Sequence, residues 1–428
     1  MTIHSNEAKW SRWAADESAY MTLSHFSREP LLPNLRHWSW DAPRGHGDIV
    51  GAMVFLHDTV TSIDITLGHN TTFDSVFAFL CNLPERVPLL EDLSIHYNDR
   101  EWPEWRLEVT MNTLSEVFHT LPRLRKISLP FFMDTPLFIY HMGCIPTLRQ
   151  LTISCAEKLV GHFVDDDAEE VPVVDEDPLF LNVTHVELQS TMTSCLRFLH
   201  RISSQQLESL HLTALHLRSP TQLSNCVEIV VENAPTLLSF CLHYTPAPHD
   251  LHFDNSWFPI ELLMRCHRLE EISIIHPRPM PFTDEEVMEA AKAWPNLKML
   301  RLNPRPSRSI AESRLTLQTI VNLAHYCTHL HTLRLFVDTR TIPTPAYSSK
   351  GIKTLDFGVS NRSDTQQLAT FIAGVCPEAN VTGGETWKEV DVILSVNKAT
   401  RLEDKKRIDA LQAEVERLKA MLGGVAVK

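Results

Sequence analysis

The chain has 428 residues, 43% apolar and 21% charged, so it can bury a core and is neither a disordered nor a low-complexity polymer. Its 39 Lys and Arg stand against 53 Asp and Glu, a net charge of −14. That balance argues against nucleic acid or an anionic membrane as the main partner, since both call for a basic face.

No apolar run reaches 18 residues, which predicts no transmembrane helix. The polar start, MTIHSNEAKWSRWAADESAY, lacks the apolar stretch of a signal peptide. Nine Cys, an odd number with no CxxC pair, fit a reduced compartment, cytoplasm or nucleus, better than a disulfide framework.

In chain order, residues 1–34 are expected to be a partly disordered or capping segment. From Leu35 a spacing of apolar-x-x-apolar-x-apolar recurs twelve times. It reads LRHWSW from Leu35, VTSIDI from Val60, LEDLSI from Leu90, LRKISL from Leu124, LRQLTI from Leu148 and VTHVEL from Val183. It continues as LESLHL from Leu207, LLSFCL from Leu237, LEEISI from Leu269, LKMLRL from Leu297, LHTLRL from Leu330 and IKTLDF from Ile352. The mean interval is about 29 residues. Such a spacing also arises by chance, roughly once per 27 positions, so the flanks decide. Six of the twelve carry Pro two residues upstream (Pro33, Pro88, Pro122, Pro146, Pro235, Pro295), where 26 Pro in 428 residues predict about 0.7. Two more carry Cys three residues upstream, Cys266 and Cys327.

A strand with apolar residues at alternate positions buries one face. A helix then covers it, and helices are predicted over 71–83, 109–121, 193–203, 283–294, 314–326 and 365–376, with Thr283 and Glu286 as a capping box. Strand and helix repeated at this period give an α/β leucine-rich-repeat solenoid, a horseshoe with a parallel sheet. The reading is about twelve units forming one elongated domain over 35–380, with a helical tail over 381–428.

Two segments interrupt or follow the repeats. Residues 165–178, DDDAEEVPVVDEDP, hold eight acids and no base and read as a disordered acidic loop. Near the end, Ile408, Leu411, Val415, Leu418 and Leu422 step by three and four, at the a and d positions of a heptad. Both a weak dimer through 408–422 and a single projecting helix fit that stripe.

The residues between the alternating apolar positions face away from the core, onto the concave sheet. The central ones run Ser39, Asp64, Ser94, Ser128, Thr152, Glu187, His211, Cys241, Ser273, Arg301, Arg334 and Asp356. Two late strands are followed by HPRP (His276 to Pro279) and NPRP (Asn303 to Pro306). Arg278, Arg301, Arg305, Arg308 and Arg334 are therefore expected to converge on one rim. Guanidinium forks suit carboxylate or phosphate groups, so the expected ligand is an acidic or phosphorylated peptide of a target protein. Glu187 and His211 are further candidate partner contacts.

Chemistry is harder to find. No GxxxxGK[ST], GxGxxG, GxSxG or HExxH occurs, and no Cys has an evident His and Asp set. His243, His249, Asp250, His252 and Asp254 carry metal-ligand chemistry but read as a His-rich polar loop. Among His325, Cys327, His329 and His331, Cys327 holds a core position of its repeat and the His flank a strand. No metal, no cofactor and no catalytic set is expected. Trp38 and Trp40 sit at core positions and Trp294 ends a covering helix. Trp102 and Trp105 are read as loop packing.

LLPNLRHWSW (Leu31 to Trp40), VTSIDITLG (Val60 to Gly68) and the tail TWKEVDVILSVNKATRLEDKK (from Thr386) resemble the F-box/leucine-rich-repeat proteins expanded in mushroom-forming fungi. The resemblance covers roughly residues 30–400. It implies the substrate-recognition part of an F-box-type cullin–RING ubiquitin ligase receptor, in which the F-box hooks the linker subunit and the repeats hold the target. An F-box is longer than the 34 residues before Leu35, so it is expected upstream of Met1 or lost. Leu83-Pro84-Glu85-Arg86-Val87 resembles an F-box start but leads into a repeat strand. The alternative is a leucine-rich-repeat scaffold with no ligase link.

Overall fold

A proline-bearing turn opens six of the twelve repeats expected from the sequence. Leu35 N donates to Leu32 O at 2.9 Å, and the same turn recurs from Leu90 to Val87, Leu124 to Leu121, Leu148 to Ile145, Leu237 to Ala234 and Leu297 to Trp294. Each recurring Pro is the second residue of its turn, where its ring presets the φ that the turn requires. Cys327 is the first residue of an equivalent turn, with Leu330 N donating to its carbonyl at 3.1 Å. The Pro and Cys flanks thus mark one device that reverses the chain and launches a strand.

The computed structural model describes residues 30, 32–41, 49–68, 71–97, 107–130, 136–154, 179–215, 220–245, 258–307, 313–361 and 363–425. The acidic stretch 165–178, Trp102, Trp105, Arg308 and most of 1–34 lie outside them. The chain divides into two compact units, Met1–Cys266 and His267–Lys428.

The first unit holds β1 (His37–Asp41), β2 (Ser62–Leu67), β3 (Asp92–Tyr97), β4 (Lys126–Pro130), β5 (Gln150–Ser154), β6 (His185–Thr191), β7 (Ser209–Leu215) and β8 (Ser239–Thr245). All pair in parallel with their chain neighbours. One register line runs through Trp38, Ile63, Leu93, Ile127, Leu151, Val186, Leu210 and Phe240, and every one of these side chains is buried. Burial of each is worth about 2 kcal/mol, so the ladder of like residues is the main source of cohesion.

The second unit repeats the scheme with β9 (Glu271–Ile275), β10 (Met299–Leu302), β11 (Thr332–Leu335), β12 (Thr354–Asp356) and β13 (Asn380–Thr382). Its buried line is Ile272, Leu300, Leu333, Leu355 and Val381. The architecture is an α/β leucine-rich-repeat solenoid, with all twelve expected strands present. The expected count is corrected by one: β13 also forms, although Ala379 stands where the other repeats place a large apolar residue.

Helices cover the buried side. In the first unit these are α1 (Ile49–Ala52), α2 (Phe73–Arg86), α3 (Leu107–Thr120), α4 (Pro136–Gly143), α5 (Met192–Arg201), α6 (Pro220–Asn233) and α7 (Ile260–Leu263). The second has α8 (Asp284–Ala293), α9 (Gln318–Tyr326), α10 (Thr365–Val375) and α11 (Lys388–Val425). The Thr283 box forms as expected: Glu286 N donates to Thr283 Oγ1 at 3.3 Å and Thr283 N to Glu286 Oε2 at 2.8 Å. Thr72, Thr191 and Asp364 cap α2, α5 and α10 more simply, each side chain accepting from the backbone N–H three residues on, without the return bond. The helix expected from Arg314 starts only at Gln318, because Thr316 first makes a parallel bridge to Asp338. Leu83–Val87 ends α2 and enters the turn before β3, so it belongs to a repeat.

The first half of α11 closes the last repeat. Trp387, Val390 and Leu394 are buried, and Val381 N donates to Asp391 Oδ1 at 2.8 Å, so the helix packs on β13 and α10. A repeat stack needs such a cap, since its terminal face would otherwise stay wet. No described helix is long and apolar enough to cross a membrane.

Candidate functional site

The outward row of the second unit reads Ser273, Arg301, Arg334, Asp356 and Thr382, one residue per strand in direct register. Parallel neighbours lie about 4.8 Å apart, so Arg301 and Arg334 present two guanidinium side chains side by side. Like charges in that arrangement are unfavourable unless an anion lies between them. Nε of Arg334 is buried and has no hydrogen-bond partner among the described residues.

Asp356, the acid beside Arg334, is turned to another task. It is buried; its Oδ2 lies 3.3 Å from Arg305 Nη2, and its Oδ1 accepts from Gly358 N at 2.9 Å. The Arg305 side chain is exposed at the loop that follows β10. Asp356 therefore anchors Arg305 at the rim, next to the Arg301–Arg334 pair.

The loops at this rim are laced together. Asn303, buried and at φ 44°, accepts His276 N on Oδ1 at 3.3 Å and donates through Nδ2 to Arg278 O. Arg278 N donates to His276 Nδ1 at 3.1 Å. One step on, Val359 N donates to Pro304 O at 3.0 Å. The HPRP and NPRP loops and the turn after β12 are thus fixed to one another, which places Arg278 and Arg305 in successive loops.

Of the five Arg singled out in the sequence, Arg278, Arg301, Arg305 and Arg334 occupy successive strands and loops of one unit, and Arg308 lies outside the described residues. Glu187 and His211 belong to the first unit, where they face each other across β6 and β7 with Nδ1 to Oε1 at 3.6 Å. Sequence reasoning missed Asn303 as the lacing residue and Asp356 as the holder of Arg305. It also missed a second acid–imidazole pair, His96 Nε2 to Asp64 Oδ1 at 3.4 Å. The only available sign was the recurrence of Pro-Arg-Pro after β9 and β10, which hints at loops of matching shape.

The residues weighed as metal ligands are spread over other duties. Cys327 is buried, its Sγ lies 3.6 and 3.7 Å from the carbonyls of Ala291 and Trp294, and burial pushes its thiol up to about 12. His325 stacks on Tyr347, and His331 Nδ1 lies 3.0 Å from Thr332 Oγ1. Burial likewise raises Cys226 and Cys376 to about 12 and Cys266 to about 11, which leaves these thiols protonated and inert. His243 lies in β8, and the rest of its group is outside the described residues.

His276 adds a measurable acid dependence. Burial pushes its imidazole down to about 3 from 6.5, so folded His276 stays neutral while the unfolded chain takes up a proton. Stability is fully present above about pH 6.5 and falls as pH drops from there toward 3, by about 1.4 kcal/mol per pH unit for this one proton. His276→Gln should flatten the slope of urea-unfolding free energy between pH 6.5 and 5 by one proton. An unchanged slope would show that folded His276 titrates normally.

No family model matches the chain, and no curated protein matches it. Among solved structures it is similar to a chain of the Rad7 and Elc1 complex in yeast, with 16% identity over 66% of this chain and 72% of that one and a TM-score of 0.33. It is also similar to the leucine-rich repeat-containing protein LegL7 from Legionella pneumophila, with 10% identity over 85% of this chain and 98% of that one and a TM-score of 0.37. A third likeness is to a chain of the Toll–Spatzle complex of Drosophila, with 13% identity over 86% and 60% and a TM-score of 0.28.

Proposed function

We propose that this chain is a protein-recognition module, a binding scaffold rather than an enzyme, that seats an acidic or phosphorylated segment of a target protein on the outward strands of its second unit. The observation that carries this reading is the register pairing of Arg301 with Arg334, two guanidinium forks set side by side on the sheet and suited in shape to a carboxylate or phosphate group. Arg305, held by Asp356, and Arg278 supply further charge at the rim. We further propose that the target is a ubiquitylation substrate and that the chain serves an F-box-type cullin–RING ligase. The support for that step is the resemblance carried by Leu31 to Trp40, Val60 to Gly68 and the tail from Thr386.

The test is affinity capture from a cell lysate with the full chain and with Arg301→Ala/Arg334→Ala, read by mass spectrometry. Captured proteins are expected to carry acidic or phosphorylated segments. A charge-assisted bond to each Arg contributes about 1.5–3 kcal/mol, so a peptide made from the captured segment should bind the double variant at least about 100-fold more weakly. Equal binding by both proteins would overturn the site. Recovery of the cullin linker subunit with the chain supports the ligase role. Targets recovered without it would leave a scaffold with no ligase link.

A further inference from the structure

We propose that the outer part of α11 pairs in parallel with the same helix of a second copy of this chain. The helix changes character along its length. Up to Arg401 it is tied to its own unit, through Trp387 in the turn just before it, through buried Val390 and Leu394, through Lys398 Nζ on Asn380 Oδ1 at 2.8 Å, and through Arg401 Nη1 on Ala373 O at 3.3 Å. From Leu402 to Lys419 every residue is exposed.

That exposed part is not polar all round. Ile408, Leu411, Val415 and Leu418 line one stripe, at 53%, 61%, 48% and 49% exposure, and Leu422 continues the spacing in the sequence. A stripe of large apolar residues with no core beneath it calls for a partner. Residue identity specifies which one. The a positions hold β-branched Ile408 and Val415, and the d positions hold Leu411 and Leu418, the combination that favours two parallel strands over higher orders.

Charge selects the same partner and the same direction. In a parallel pair in register, the g residue Glu414 of one copy meets the e residue Lys419 of the other, twice by symmetry. The preceding g–e contact sets Arg407 against Gln412, which adds no repulsion. An antiparallel pair would instead set Lys405 against Lys419. In the single helix Glu414 lies 3.7 Å from Arg417 and Lys419 lies 2.9 Å from Glu416, all on the surface, so both charges remain open to a second chain. The seam starts at Ile408, about 20 Å along the axis from Leu394, which keeps it clear of the helix's packed face. Little more than two heptads make the association weak and concentration-dependent.

Sedimentation equilibrium of the full chain tests this. The apparent mass should rise from 48.9 kDa toward twice that value across a series reaching the hundred-micromolar range. Leu411→Lys with Leu418→Lys should hold it at the monomer mass with an unchanged unfolding midpoint, because both positions are exposed in the single chain. Lys419→Glu should weaken association at least several-fold, and adding Glu414→Lys should restore part of it. A wild-type chain that stays monomeric throughout, a dimer indifferent to the Leu substitutions, or a dimer strengthened by Lys419→Glu would each overturn the proposal.

Discussion

Gly358→Ala is expected to destabilise the second unit by at least about 3 kcal/mol, read as a lower midpoint in urea unfolding. Gly358 sits at φ 53°, and a Cβ there would fall 1.6 Å from Pro304 O and 2.4 Å from its carbonyl carbon. Left-handed strain alone would cost only about 1 kcal/mol. Most of the cost comes from what must move, because both colliding atoms are backbone. The segment cannot yield alone: Val359 N donates to Pro304 O, Gly384 N donates to Gly358 O at 2.9 Å, and Gly358 N donates to Asp356. A shift would therefore loosen the loop that carries Arg305 and the carboxylate that holds it, so peptide binding should weaken along with stability. Gly51→Ala is the control. It lies in helix α1 with nothing within 4 Å of its added Cβ, and it should be neutral or stabilising by up to about 1 kcal/mol. A Gly358→Ala chain as stable as the wild type would mean that the Pro304 loop has slack.

The strands were legible because one local rule holds at all twelve expected repeats and a second supports it at six. Leu at a fixed spacing marks the buried face, and Pro33, Pro88, Pro122, Pro146, Pro235 and Pro295 mark the turn that precedes it. The apolar spacing is the rule that decides: β13 keeps Pro377 ahead of it but has Ala379 in place of a large apolar residue, and was not expected. Helix α6 was missed for a different reason. Its core, VEIVVE from Val227, is rich in β-branched residues and by composition suits a strand, yet Leu223, Cys226, Val227 and Val230 bury on one helical side. Helix α4 is apolar on too many sides to show a stripe; Phe138, Ile139 and Met142 are all buried.

The site divides along the same line. The order Ser273, Arg301, Arg334, Asp356 follows from repeat position alone, and the register reproduces it. Nothing in the sequence says that Asp356 reaches Arg305 rather than serving Arg334. That depends on a loop path 51 residues earlier and on a positive φ at Asn303 and at Gly358. Periodicity can assign a residue to a face, but it cannot tell which neighbour across the loops will claim its side chain.

The cap on the last repeat yields the other large expected effect. Trp387→Ala should remove about 4 kcal/mol or more from the second unit. The indole is buried, stacks on Phe357 with ring centroids 4.1 Å apart and planes 15° off parallel, and donates from Nε1 to Ser360 O at 2.9 Å. Truncation leaves a cavity where a large side chain stood and strips a buried carbonyl of its donor, so two costs add. Trp387→Phe separates them: it keeps most of the stacking and loses only the hydrogen bond, for about 1–3 kcal/mol. Because Trp387, Val390 and Leu394 are the buried side chains that dock α11, the Ala variant should also free the helix, seen as faster proteolysis within 388–400 under native conditions. An Ala variant that cost no more than the Phe variant would show that the hydrogen bond to Ser360, and not the packing on Phe357, holds the cap.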